Sequence, residues 1–537
     1  MRLSTRVSSA RVALVVLAFA LVAAGCGADE TADDEPADST TTAAVPDDQG
    51  DDAPVGETPT PRFVPGPCPS DVVPEEGLVR CGHVVDIPLA IEDPSAGTHE
   101  IAIAQTFPRG DAALADPILR LQGGPGEGIR DQVDNWLRED RIERTGVVLA
   151  DYRGLGESTP RLDCPEKFDA LRAMSEAAEP FLDEVERIQD AMSVCKARAE
   201  ADGIDLANYD TAAIADDIEA VRIALEVDRW NLVGISYGTT VALEVMRRYP
   251  DSVRSSIIDS AYPGTRNTPQ EMLGTMDYML GLFDADCPPE SDCNPRDTVL
   301  SEQFHAAVER LDASPTPVEF DDPISGEMRT AVLNGGDFAN AVWAAVCCAG
   351  GAFTPIVPAI IRAAAEDGDI AVLAEFVTGE EDVLKNFAFL MSTSVECRDR
   401  AHLIDVDELA AILDERPEFS RMFLNSTYVG NGVSCEVLDA GVSEGFTDPI
   451  VSDIATLVLA GRYDSITPPY WGEDLLEDGL SNARFYEFPG QAHATWDDTP
   501  CAESISYAFQ ADPQATLDDS CIADMPRYFP GSGDQTS

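Results

Sequence analysis

The chain is short of positive charge. Its 537 residues hold 36 Lys and Arg against 98 Asp and Glu, a formal net charge of −62. A field of that sign repels phosphates, which excludes nucleic acid and anionic membrane surfaces as partners of the folded part. Histidine is also scarce, so any imidazole base must come from His83, His99, His305, His402 or His493. None of the 13 cysteines forms a C-x-x-C metal pair. No P-loop lysine and no G-x-G-x-x-G spacing occur, so neither nucleoside triphosphate nor dinucleotide binding is indicated. Long apolar runs are missing too. The run Val12–Val22, behind Arg2, Arg6 and Arg11, is too short to favour a spanning helix and reads as an export signal.

That signal ends in Ala23-Ala24-Gly25-Cys26, which resembles a bacterial lipobox with Cys26 as the lipidated residue. Residues 1–26 are therefore expected to be a signal peptide. Any membrane association is expected to run only through a lipid on Cys26, at the outer face of the cell membrane; plain secretion is the alternative. Residues 27–66 are rich in Asp, Thr, Pro and Ala with little to bury, and are expected to be a disordered acidic linker.

Setting Cys26 aside, twelve cysteines remain, a usage that fits an oxidising compartment. Closeness in sequence suggests Cys68–Cys81, Cys164–Cys195, Cys287–Cys293 and Cys501–Cys521. Cys347 and Cys348 are adjacent and leave two options: a vicinal bridge, with Cys397 pairing Cys435, or separate bonds to those two.

The informative stretch is Gly234-Ile235-Ser236-Tyr237-Gly238. A short apolar strand, Trp230–Val233, precedes it, and a helical pattern from Thr239 follows until Pro250 forbids continuation. Strand, G-x-S-x-G, helix is the nucleophile elbow, a turn that lifts a serine hydroxyl above a sheet. A second match, Gly441–Gly445 around Ser443, lacks a preceding strand and meets Pro449, so it reads as a loop. Strands are also expected at Val84–Leu89, Ile101–Phe107, Ile118–Leu121, Val147–Ala150, Ser256–Ile258, Ile454–Ala460 and Arg484–Phe488. Thr211–Leu225 is amphipathic, with Ile214, Ile218, Val221 and Leu225 on one face. Alternating strand and helix implies an α/β fold with a mostly parallel central sheet covered by helices. Residues 265–446 break the alternation and read as an inserted, largely helical lid. The core is thus expected at 67–264 and 447–530, with a disordered tail at 531–537.

A serine needs a base, and the base needs a group to hold its tautomer. His493 follows the last expected strand, and Asp464 ends the one before it, which gives the chain order Ser, Asp, His of this fold. Asp259, at the end of an earlier strand, is the alternative acid. Gln122–Gly128 follows a strand as a glycine-rich turn and reads as an oxyanion loop, with backbone donors from Gly123 or Gly124 and from Tyr237. Glu127, beside it, is a candidate partner for a substrate ammonium, although a solvated loop carboxylate is the simpler reading. Arg153, in Asp151–Ser158, is expected to pair buried carbonyls or carboxylates.

With Cys81-Gly82, Gly123–Gly126, Asp151-Tyr152-Arg153-Gly154, Gly234–Gly238, Asp464–Pro469, the His493 loop and the Cys501/Cys521 pair in view, the chain resembles the α/β-hydrolases of the tripeptidyl aminopeptidase-like group. These are relatives of proline iminopeptidase and of mycobacterial envelope-anchored serine hydrolases. The resemblance implies an exported Ser236–His493–Asp464 hydrolase that needs no metal or organic cofactor and cleaves peptides near free N-termini. The same triad also suits a carboxylesterase acting on lipid or small esters, and a non-catalytic envelope scaffold is the rival from outside enzymology. If Cys26 carries the lipid, Cys26→Ser will move the protein from the detergent phase to the aqueous phase on Triton X-114 partitioning. Unchanged partitioning removes the anchor.

Overall fold

In the computed structural model, residues 60–529 are described apart from 70–76, 110–115, 138–140, 142, 177–180, 267, 348–352, 371–383, 404–410, 412–415, 417–433, 526 and 528. The signal peptide, Cys26, most of the linker, Cys348 and the tail lie outside these residues. All described residues fall in one compact unit, Pro59–Ser537. Among them no helix is long and apolar enough to cross a membrane.

A nine-stranded sheet carries the fold. Its strands are β1 (Arg62–Pro65), β2 (Val79–Pro88), β3 (Thr98–Thr106), β4 (Ile118–Leu121), β5 (Val147–Ala150), β6 (Trp230–Ile235), β7 (Val253–Asp259), β10 (Thr456–Gly461) and β11 (Ala483–Phe488). They lie in the order β1-β2-β3-β5-β4-β6-β7-β10-β11. The first three are antiparallel to their neighbours, and every pair from β5 to β11 is parallel. Strands β4, β5, β6 and β10 are buried at every position, as parallel strands covered on both faces must be.

The helices of ten or more residues before the insertion are α1 (Pro165–Ser175), α2 (Phe181–Ala201), α3 (Thr211–Ala224) and α4 (Tyr237–Arg248). Within and after it come α5 (Thr268–Asp286), α6 (Leu300–Ala313), α7 (Gly335–Cys347), α8 (Val357–Asp367), α9 (Phe389–Arg400), α10 (Pro469–Asp478) and α11 (Pro500–Ala511). Helix α3 begins where Asp210 accepts a hydrogen bond from the Ala213 amide at 2.8 Å. It buries Ile214, Ile218 and Val221 against the sheet. Helix α4 ends before Pro250, as its sequence requires.

One expectation is corrected. The linker does not run to residue 66: Arg62–Pro65 pairs with His83, Val84 and their neighbours, and Gly66 donates to the Cys81 carbonyl at 2.9 Å. Phe63, packed on the core, is the apolar anchor that the acidic composition hid. Within the largely helical insertion, β8 (Thr316–Asp321) and β9 (Met328–Leu333) form an antiparallel hairpin. Val318 and Phe320 are buried while Pro317, Glu319 and Asp321 face water, a period-two pattern too short to stand out beside the helices.

Sulfurs reach bonding distance in Cys68–Cys81, Cys164–Cys195, Cys287–Cys293, Cys397–Cys435 and Cys501–Cys521. Cys347 is also disulfide-bonded, with its partner outside the described residues.

Arg153 does what its loop suggested. Its guanidinium donates to both oxygens of Asp217 at 2.7 and 2.6 Å, and to the carbonyls of Leu89 and Asn208. His99 Nε2 lies 2.8 Å from Asp217 Oδ1, all within the interior. Burial alone would raise the Asp217 pKa, but Arg153 and His99 more than offset this and hold it below the usual carboxylate value. Asp217→Ala strands a buried guanidinium, so it is expected to cost about 3–5 kcal/mol in urea unfolding. A loss under 1 kcal/mol contradicts this.

Candidate active site

Parallel strands point their carboxyl ends to one edge of the sheet, and ligand sites of open α/β folds collect there. Ser236 follows β6, Asp259 closes β7, Asp464 comes three residues after β10, and His493 comes five after β11. These four strands are consecutive neighbours. Residues spread over 258 positions of sequence are thereby delivered to one rim.

Ser236 has φ 55° and ψ −126°, a strained conformation for a residue with a side chain. Neighbouring glycines make the turn sterically feasible. A Cβ on Gly238 would sit 2.1 Å from the Leu121 carbonyl oxygen, and one on Gly234 would sit 2.4 Å from that of Gly238. Ser236 is almost fully buried, and its amide donates to the Asp259 carbonyl at 3.0 Å. Tyr237 opens α4, so its amide is among those with no intrahelical acceptor. Across from it, a Cβ placed on Gly123 would meet Ser236 Cβ at 3.0 Å and Oγ at 3.5 Å. The glycine-rich turn therefore lies directly against the serine, and a side chain there would be tight against it.

His493 Nδ1 lies 2.9 Å from Asp464 Oδ2, and Asp464 is fully buried. The same carboxylate accepts from the amides of Ile466 and Thr467 at 3.0 and 2.8 Å and from Thr467 Oγ1 at 2.8 Å. Thr467 Oγ1 is also 3.2 Å from His493 Nδ1. Sequence reasoning missed Thr467, although its place in Asp464-Ser465-Ile466-Thr467 suits a side chain turning back on an Asx turn. Burial would raise Asp464, but His493 and the Thr467 bonds offset it and hold the acid below its usual value. Burial would likewise lower His493; the Asp464 carboxylate outweighs that and raises the imidazole above its ordinary pKa.

Asp259, the alternative acid, is occupied elsewhere. It accepts from Thr495 N and Oγ1 at 3.1 and 2.8 Å and from Trp496 N at 2.8 Å, which caps the short helix Thr495–Asp498. Ser260 Oγ accepts from the Ala494 amide at 2.9 Å. Burial pushes Asp259 up to about 6.

The other candidates have different surroundings. His83 faces the Glu157 carbonyl, His99 belongs to the Asp217 cluster, and His305 lies on α6 beside Phe304. His402 sits in a short 3-10 turn. Ser443 is in a loop, its amide donating to the Arg398 carbonyl. Glu127 is half-buried, accepts from Gln122 Nε2 at 3.3 Å, and is raised above its usual pKa by burial. Among the described residues, Cys164, Glu166 and Cys195 have metal-like spacing, but both sulfurs are in a disulfide and Glu166 is paired with Arg198.

Comparison with known proteins gives several partial likenesses. The serine protease Hip1 of Mycobacterium tuberculosis (strain ATCC 25618 / H37Rv) is 27% identical over 280 residues, 50% of this chain and 52% of that one. A tripeptidyl aminopeptidase of Streptomyces lividans is 26% identical over 199 residues, 35% of this chain and 36% of that one. The chain thus spans about half, or less, of the length of these curated relatives. The solved proline iminopeptidase of Mycobacterium smegmatis aligns with 77% of this chain and 95% of its own at 16% identity and a TM-score of 0.36. A family model described as the alpha/beta hydrolase fold matches residues 116–500, well over half of the chain, and the protein belongs to that family.

Proposed function

We propose that the protein is an exported serine hydrolase that cleaves peptide bonds near free N-termini through an acyl-enzyme. Ser236 is the nucleophile, His493 the base and Asp464 the group that orients it. The observation that carries this reading is the hydrogen bond between His493 and the buried Asp464, set on the same sheet edge as a strained serine. Relatives named as a serine protease and a tripeptidyl aminopeptidase support the peptidase class. Disulfide-bonded cysteines support an oxidising compartment, and Cys26 is the proposed point of attachment to the cell envelope.

In this mechanism Ser236 Oγ attacks the scissile carbonyl as His493 Nε2 takes its proton. Asp464 fixes the hydrogen on Nδ1, leaving Nε2 free to act as base, and stabilises the imidazolium that forms. The oxyanion is held by the Tyr237 amide and by an amide of Gly123 or Gly124. Loss of one such donor typically costs about 10²–10³ in turnover. Collapse expels the amine, protonated by His493, and water then attacks the ester with the imidazole again acting as base.

Three measurements test this reading. A fluorophosphonate probe will label wild-type protein and leave Ser236→Ala unlabelled. Tripeptide anilides will be turned over with higher kcat/KM than p-nitrophenyl esters of short acids; the reverse order makes the protein an esterase.

The raised imidazole pKa fixes the sign of the pH dependence, since only neutral His493 accepts the proton. The acid limb of kcat/KM should fall above pH 6.5, and Asp464→Asn should move it lower while reducing kcat about 10⁴-fold. An unchanged limb in Asp464→Asn refutes the assignment of the acid.

Glu127 is proposed to receive the substrate's α-ammonium. Glu127→Gln is then expected to weaken hydrolysis of free-amine peptides more than of simple esters. Equal effects on both remove that role.

A further inference from the structure

Helix α9 comes from the insertion, yet one of its ends meets the backbone of the glycine-rich turn and the other reaches, through Thr211, the ring of Tyr237. At its start, the Ala388 amide donates to the Gly126 carbonyl at 2.9 Å. The Phe387 ring lies so close to Gly126 that a Cβ there would meet it at 2.4 Å. Gly126 belongs to the glycine-rich turn that carries Gly123 and Gly124.

At the other end of α9, Asp399 is fully buried. Its carboxylate accepts from Thr211 Oγ1 at 2.5 Å and from the Thr211 amide at 3.2 Å. Thr211 Oγ1 in turn lies 2.7 Å from the phenol oxygen of Tyr237. Either hydroxyl can be the donor in that last bond. Tyr237 is the residue whose amide lies next to the serine.

We propose that α9 is a strut of the oxyanion hole, its two ends fixing the two backbone segments that supply the donors. Asp399 and Thr211 are positioning residues that act on the reaction through the ring of Tyr237. This rests on the acyl-enzyme reading above and adds to it a role for the insertion in the chemistry itself. The physical reason is distance: a donor aimed at a developing oxyanion must sit within a few tenths of an ångström of its place. A displacement of about 1 Å can cost about 10²-fold in rate. Tyr237 is held by its helix at the backbone, and the phenol bond pins the far end of the side chain. Around that bond, Tyr152 packs edge-on to Tyr237, with ring centroids 6.2 Å apart. The Tyr152 hydroxyl donates to the Gln122 carbonyl at 3.1 Å, so one aromatic pair ties both donor segments together.

The test compares Thr211→Val and Tyr237→Phe, which remove one polar atom each at nearly constant volume, with Thr211→Ser and Asp399→Asn, which keep a hydroxyl and an acceptor. Each is assayed for kcat and KM on a tripeptide anilide and for inhibition by a tripeptidyl trifluoromethyl ketone. That ketone forms a tetrahedral adduct whose oxygen occupies the oxyanion position.

The first two variants are expected to lose about tenfold to a hundredfold in kcat, with KM within about twofold and the ketone Ki raised by the same factor as kcat falls. The conservative pair should stay within about threefold of wild type. The double variant Thr211→Val/Tyr237→Phe should lose no more than either single one, because both break the same bond.

Full kcat in Thr211→Val and Tyr237→Phe overturns the strut, as does a fall in kcat that leaves the ketone Ki unmoved. If Thr211→Val fails to fold by circular dichroism, Tyr237→Phe decides alone. If wild-type Ser236 resists fluorophosphonate and Ser236→Ala retains activity, the acyl-enzyme reading fails and the strut falls with it. Intact Ser236 chemistry with unimpaired variants sinks the strut only.

Discussion

Asp259 holds Ser236 and the His493 loop to the same strand end. Its carbonyl receives the Ser236 amide, and its carboxylate receives Thr495 and Trp496, just beyond His493. The register of β6 against β7 places Ile235 opposite Asp259, so the serine emerges beside the carboxylate without any loop having to find it. A buried carboxylate is costly unless its lone pairs are filled, and here three donors from one tight turn fill them. Without this joint, the His493 loop would keep the Ala494 bond to Ser260 Oγ and its contacts with the Asp464 loop on its other side. There, Tyr463 N donates to the Gln491 carbonyl, and Gly461 approaches Ala492 too closely for any side chain.

The insertion is interlocked with this edge. Arg462 and Tyr463, just before Asp464, bond Asp286 at the end of α5, and Tyr278 of α5 donates to the Arg462 carbonyl. Trp343 of α7 donates to the Ser465 carbonyl at 2.9 Å. On the serine side, Leu390, Met391 and Val395 of α9 are buried in the same apolar cluster as Leu232 and Tyr237. A helix that shares a core with the sheet is held by the same dispersion and burial terms as the sheet. The inserted elements therefore brace the acid loop and the serine turn together, which suits a site whose geometry must be set before substrate arrives.

Legibility differed by element. The elbow was readable because strand, Gly-x-Ser-x-Gly and helix are contiguous, and each part has a local cause. That His493 and Asp464 come together could be expected from chain order and from their places just after apolar runs. Thr467 and the duty of Asp259 could not, since both depend on loops folding back over contacts that sequence distance conceals. Asp259 looked like a possible catalytic acid because it ends a strand; its three hydrogen bonds to the turn after His493 give it another task. The hairpin β8–β9 was lost for a different reason. Six-residue alternation carries little signal when longer helical patterns surround it.

By itself the sequence determined the class of the fold and the strand–turn–helix around Ser236, because periodicity, glycine spacing and proline breaks act locally. Tertiary structure alone decided which carboxylate meets the imidazole and which one ties the loops. It also decided that a helix from the insertion meets the glycine-rich turn at one end and, through Thr211, the ring of Tyr237 at the other. Those outcomes rest on hydrogen bonds between residues tens to hundreds of positions apart, formed only once parallel strands bring their ends to one edge.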